Sequence, residues 1–170
     1  ANLQNLARLI GIYGIFSIGL GVVIITGGID LSVGSVFALL GVLLSIFLVD
    51  WHIPAVFAVL AVLAISTSLG LINGLMVTKV KIQPFIVTLC GLLIYRGLAR
   101  FIANDETKGF GSAEGFETLQ SLATGSLMGI PTPFIILIVV SLVMWVVVHR
   151  SVYGRYLFAL GHNEMAARYS

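Results

Sequence analysis

The sequence predicts an all-α, polytopic transmembrane helix bundle, and three observations carry that expectation. Apolar and aromatic residues make up 59% of the 170 residues, and charged residues only 9%. A soluble domain carries about a quarter charged residues. So few charges cannot cover a water-exposed sphere, but they can cover the two rims of a bundle whose flanks face lipid. The mean hydropathy is +1.11. The apolar residues also fall into long runs separated by short polar breaks.

A bilayer core about 30 Å thick needs roughly 20 apolar residues at about 1.5 Å each. Five runs meet that test, at about 9–25, 33–49, 54–76, 85–102 and 132–148. Each break between them has a physical cause. Thr26-Gly27-Gly28-Ile29-Asp30 interrupts the first apolar stretch with two glycines and a carboxylate. Asp50-Trp51-His52-Ile53-Pro54 ends the second run, with Trp51 suited to the headgroup level and Pro54 to a helix start. Lys79 to Pro84 is a short charged turn, again with proline opening the next helix. Asn104 to Gly129 is the one extended polar region, and it has room for a short surface helix around Glu114 to Ala123.

Lysine and arginine set the orientation. Five spans in series place the Lys79–Gln83 turn and the tail beyond His149 on one side. That side carries Lys79, Lys81, Arg150, Arg155 and Arg168, against the single acid Glu164. The other side mixes Arg8, Arg100 and Lys108 with Asp50, Asp105, Glu106, Glu114 and Glu117. The expected topology therefore has a loop at about 103–131 facing outward and a segment at about 149–170 in the cytoplasm. Within the first run, Gly11, Gly14, Ser17 and Gly21 fall near one face, a spacing that lets helix backbones approach closely in lipid.

The net charge of +2, with no basic run, gives no support for a nucleic-acid partner. Cys90 stands alone in an apolar stretch, so there is no disulfide framework, and no His and Cys spacing points to a metal. His52, His149 and His162 lack paired ligands, and no nucleophile and base arrangement is visible, so catalysis finds no support. The chain opens on Ala1 and stops at Ser170, just after a polar, helix-like stretch. It reads as an internal piece of a longer membrane protein.

The candidate functional positions follow from cost. Glycines and a carboxylate near the bilayer are expensive unless they line a cavity or are packed in protein. Thr26, Gly27, Gly28, Asp30, Ser32 and Gly34 are consistent with a broken helix on a translocation path. They are equally consistent with a tight loop in which Asp30 or Ser32 caps the helix starting near Val33. Arg96, midway along the fourth run, must either pair inside the bundle or face a watery pathway, whereas Arg100 can snorkel. Asn73 either bonds between helices or helps to end the third run. In the tail, Asn163 can cap a short helix whose Glu164, Ala166 and Ala167 offer a small surface for a partner groove, or which lies at the membrane surface.

Three segments, taken together, resemble a known family. Gly27-Gly28-Ile29-Asp30-Leu31-Ser32-Val33-Gly34-Ser35 is similar to the signature of permease subunits of bacterial ABC importers for monosaccharides, the ribose, xylose, arabinose and galactose-type systems. Pro84-Phe85-Ile86-Val87-Thr88-Leu89 with Arg96-Gly97-Leu98-Ala99 resembles the central segment of that family, and Gly154 to Ala167 its coupling region. Cys90 and His162 depart from the pattern, standing where glycine, and glycine or alanine, are expected.

The resemblance implies a longer subunit of about ten spans, each of roughly 20 residues, in the bacterial inner membrane. It also implies a second permease subunit, a periplasmic sugar-binding protein and a cytoplasmic ABC ATPase. Gly161, Asn163, Glu164, Ala166 and Ala167 would then form the contact with the ATPase. No cofactor is expected on this chain, because ATP is used by the partner and no phosphate-binding P-loop occurs here. Three rivals are a same-family permease for another polar solute such as a nucleoside or signalling furanose, an ATP-independent secondary transporter, and an intramembrane enzyme. Asp30 is the only candidate membrane carboxylate for an ion-coupled carrier, and no catalytic pair exists for an enzyme.

Overall fold

The computed structural model describes residues 2–110, 116–127 and 129–163. These residues form helices α1 (Asn2–Ile25), α2 (Val33–Ser45), α3 (Ala55–Thr78), α4 (Pro84–Ile102), α5 (Phe116–Thr124), α6 (Thr132–Arg150) and α7 (Val152–His162). A π turn, Ile46–Asp50, continues α2, and a small antiparallel ribbon pairs Ser126 with Pro131 and Leu127 with Ile130. Five helical segments are long and apolar enough to cross a membrane: Asn2–Ile25, Val33–Asp50, Ala55–Thr78, Pro84–Ile102 and Thr132–Arg150. Helix α1 begins before the apolar run because Asn2, Gln4, Asn5 and Arg8 are polar but do not break a helix. The short helix of the polar region covers Phe116–Thr124, and residues 111–115 lie outside the described set.

Large apolar side chains are mostly on the outside, among them Val56, Phe57, Leu63, Leu142 and Val143. In water this would be untenable, and in lipid it is the normal state of a spanning helix. The helices satisfy their backbone groups internally, as a bilayer requires. Close packing, rather than exclusion from water, then holds one helix on another.

The chain divides into two compact units. The first joins residues 1–28 to residues 120–170 and is built on the α1 and α6 pair, with α7 folded against both. Gly11 allows that pairing: a Cβ there would lie 2.5–2.7 Å from the Pro133 and Phe134 backbone. One turn on, a Cβ at Gly14 would meet the Leu137 methyls at 2.7–2.8 Å. Ser17 instead donates to the Tyr13 carbonyl of its own helix, and Gly21 has nothing within 4 Å, so among the described residues the small-residue face is used at its first two positions. Arg8 donates to the Thr124 carbonyl at 2.7 Å and Gln4 to that of Gly129 at 3.2 Å, tying the start of α1 to the loop before α6.

The second unit, residues 29–119, holds α2, α3 and α4, with α2 packed mainly on α4. Leu39, Tyr95 and Ala99 form one buried cluster, and Phe47, Leu48 and Ala58 a second. Phe110, Phe116 and Leu119 fold back onto the second cluster, and the Phe110 and Phe116 rings stack at 4.8 Å. Ser45 donates to the Gly109 carbonyl at 2.6 Å, and Lys108 lies 3.9 Å from Asp50. The polar region after α4 is thereby anchored to the end of α2.

Candidate functional site

The break after α1 is a helix C-cap. Gly27 has φ +76°, a left-handed conformation that glycine adopts without penalty. Its N–H donates to the Ile24 carbonyl at 2.9 Å and that of Gly28 to the Val23 carbonyl at 3.1 Å, the paired bonds of a left-handed cap. The Thr26 hydroxyl also donates to Val23, at 2.7 Å. Of the two glycines only Gly27 has positive φ. Gly28 is constrained by space, since a Cβ would lie 3.2 Å from Val23 Cγ1.

Asp30, rather than Ser32, serves the start of α2. One carboxylate oxygen of Asp30 accepts from the Ser32 N–H at 2.8 Å and from the Ser32 hydroxyl at 2.7 Å. Ser32 makes no capping bond because its backbone is already helical and its hydroxyl is committed to Asp30. The same Ser32 oxygen accepts from the Asn73 amide at 3.2 Å, and the Asn73 carbonyl accepts from the Tyr95 hydroxyl at 2.9 Å.

Four side chains, one each from α3 and α4 and two from the segment that leads into α2, thus form one directed chain, Tyr95 to Asn73 to Ser32 to Asp30. Every donor points toward the carboxylate, an arrangement in which successive hydrogen bonds polarise one another. Ser32 is 1% exposed and Tyr95 7% exposed, so the chain is sheltered at these two links, with Asn73 half-buried between them. Gly91 makes room for it, since a Cβ there would sit 3.3 Å from Ser32 Cβ and 3.1 Å from the Tyr95 ring. Thr88, one turn earlier on α4, lies 3.2 Å from the Ile29 carbonyl and 3.0 Å from its own Pro84 carbonyl.

The candidate positions therefore separate. Thr26, Gly27 and Gly28 build the α1 cap, and Asp30 and Ser32 belong to the polar chain. Gly34 has nothing within 4 Å, and Arg96 is exposed with no hydrogen bond or ion pair to the described residues. Arg100 reaches Asp105 at 2.6 Å, both being well exposed. Gly161 packs on α1, where a Cβ would collide with the Ile25 carbonyl. Asn163 ends α7 in extended backbone, and Glu164, Ala166 and Ala167 lie outside the described residues. Asn73 is a bond between helices rather than a helix terminator, since α3 runs on to Thr78. Tyr95 was not singled out by the sequence. Its signal is the recurrence of Thr88, Gly91, Tyr95 and Ala99 at helical spacing, which marks the buried face of α4. Among the described residues no three His, Cys, Asp or Glu side chains gather as a metal site.

Comparison with known proteins agrees with the resemblance noted in the sequence. The chain is 37% identical to the ribose import permease protein RbsC of Escherichia coli (strain K12) over 169 residues, 99% of this chain and 52% of that protein. It is 39% identical to the ribose import permease protein RbsC of Bacillus subtilis (strain 168), covering 98% of this chain and 51% of that one. The fructose import permease protein FruF of Bifidobacterium longum (strain NCC 2705) is 34% identical, over 98% of this chain and 45% of its own length. The chain thus spans about half the length of the curated relatives it matches. No solved structure matches it. The family model for the branched-chain amino acid transport system, permease component, matches residues 2–170, and the chain belongs to that family of transport permeases.

Proposed function

We propose that this chain supplies part of the membrane-spanning pathway of an ATP-driven importer for a monosaccharide. The observation that carries the reading is the match of almost the whole chain to import permeases named for ribose. The chemistry is compatible with it. A solute moved unchanged needs no catalytic group, and the polar chain fixes three apolar helices in register without one. Arg96, a mid-span cation with an open face, is suited to a watery path or to a group elsewhere in the subunit. The partners in this reading are a cytoplasmic ABC ATPase, a periplasmic sugar-binding protein and a second permease subunit, all at the bacterial inner membrane. ATP is consumed by the ATPase, and Glu164, Ala166 and Ala167 meet it, whereas Gly161 lies against the end of α1.

The orientation has a direct test. In a Cys90→Ala background, Thr107→Cys should react with a membrane-impermeant maleimide added outside, and Gln83→Cys only after permeabilisation. The reverse pattern would place the tail outside, away from any ATPase.

A second reading concerns the solute alone. The family description names branched-chain amino acids, and one relative, 32% identical, is the autoinducer 2 import system permease protein LsrD of Enterobacter sp. (strain 638). Competition for uptake by the full-length permease and its partners separates these possibilities. Unlabelled pentoses or hexoses are expected to compete with labelled ribose, and leucine is not. Competition by leucine but by no sugar would transfer the proposal to amino acids.

A further inference from the structure

Helix α7 is locked to α6 at one end and pressed against α1 at the other. At the α6 end, Ser151 lies between the helices in extended backbone. Its hydroxyl donates to the Val147 carbonyl and accepts from the Gly154 N–H at 3.2 Å, so one side chain joins the last turn of α6 to the first turn of α7. Gly154 is buried against α6, and a Cβ there would collide with the Val148 carbonyl. Leu157 is 5% exposed and Val148 9%, and the His149 and Phe158 rings meet edge to face at 6.3 Å. This corner has no slack.

At the far end of α7, Gly161 faces the last turn of α1. A Cβ on Gly161 would collide with the Ile25 carbonyl and lie 3.6 Å from the Thr26 carbonyl carbon. The obstruction is backbone, which cannot rotate aside as a side chain can. The contact falls where α1 enters its left-handed cap at Gly27, and from that cap the chain runs directly into Asp30 and Ser32. A helix held rigidly at both ends transmits displacement rather than absorbing it.

We propose that α7 is a strut that carries movement of the segment after it to the end of α1, and that Gly161 is the positioning residue at the contact. This rests on the ATP-driven reading, in which residues 164–170 meet the ATPase. Movement there pushes or pulls the Thr26–Gly28 turn through Gly161, because the Ser151 clamp prevents α7 from pivoting freely on α6. Gly161 touches neither solute nor nucleotide.

The test uses the full-length permease with its ATPase and binding protein in proteoliposomes. Gly161→Val and Gly161→Ala each put a Cβ into the Ile25 carbonyl, and Ser151→Ala loosens the other end of the strut. All three should still co-purify the ATPase and hydrolyse ATP within about twofold of wild type, while uptake falls tenfold or more for Gly161→Val and severalfold for Ser151→Ala. Ser151→Thr, which keeps the hydroxyl, should restore uptake. Near wild-type uptake by Gly161→Val, or by Ser151→Ala, overturns the proposal, since neither the contact nor the clamp would then be needed. Loss of ATPase co-purification in Gly161→Ala also overturns it, because Gly161 would then act in docking and not in transmission. The ATP-driven reading itself fails separately, if wild-type protein takes up solute with no ATPase present.

Discussion

Replacing Gly11 with alanine is expected to destabilise the α1 and α6 pair by about 1–3 kcal/mol, although it adds one methyl group. The added Cβ would lie 2.5 Å from the Pro133 carbonyl carbon and 2.6 Å from the Phe134 nitrogen. Pro133 and Phe134 open α6, so the helix as a whole must shift to make room. Gly14→Ala presses instead on the Leu137 methyls, which can change rotamer, and should cost less. Gly21→Ala meets nothing within 4 Å and gains helix propensity, so its effect should lie between zero and a gain of about 1 kcal/mol. Unfolding of the full-length permease by denaturing detergent would measure this ordered series. Equal effects at the three sites would show that α1 does not meet α6 through Gly11.

Removing the amide of Asn73 is the second large effect expected. Asn73→Ala leaves the Tyr95 hydroxyl without its acceptor and Ser32 without a donor. A loss of about 1–3 kcal/mol follows for sheltered polar groups left unpaired. A double-mutant cycle with Tyr95→Phe isolates the link between the two residues. Its coupling should be about 0.6–1.7 kcal/mol, the range found for hydrogen bonds between membrane helices. Uptake should fall with stability, because α2, α3 and α4 are held in register by this chain. Asp30→Asn should be milder, since an amide oxygen still accepts from the Ser32 N–H. A cycle showing strict additivity would mean that Asn73 and Tyr95 stabilise the unit independently.

Much of the fold was legible because a bilayer imposes a length rule. Apolar runs near 20 residues, ended by Thr26-Gly27-Gly28 or opened by Pro54 and Pro84, can hardly be anything but spanning helices. The π turn at Ile46–Asp50 was not legible, since an apolar run has the same composition whether its bonds reach four residues or five. Helix α7 was hidden for a different reason. Gly154 and Gly161 lower helix propensity, yet each is inside the helix and is required by a neighbouring carbonyl. The polar chain was half visible. Asp30 and Ser32 were conspicuous as polar groups beside a glycine turn, and Asn73 stood out in an apolar run. Tyr95 passed as one more aromatic residue. Which hydroxyl finds which amide depends on how α2, α3 and α4 cross, and side-chain periodicity carries no such information.

In the proposed function the chain is a passive conduit whose movements are powered by a separate ATPase. Uptake by proteoliposomes holding the full-length permease, with the ATPase and binding protein added or withheld, measures this directly. Labelled sugar should accumulate only when both partners and internal ATP are present, and a proton or sodium gradient should neither replace ATP nor add to it. Accumulation driven by such a gradient with the ATPase left out would contradict the account and identify a secondary transporter.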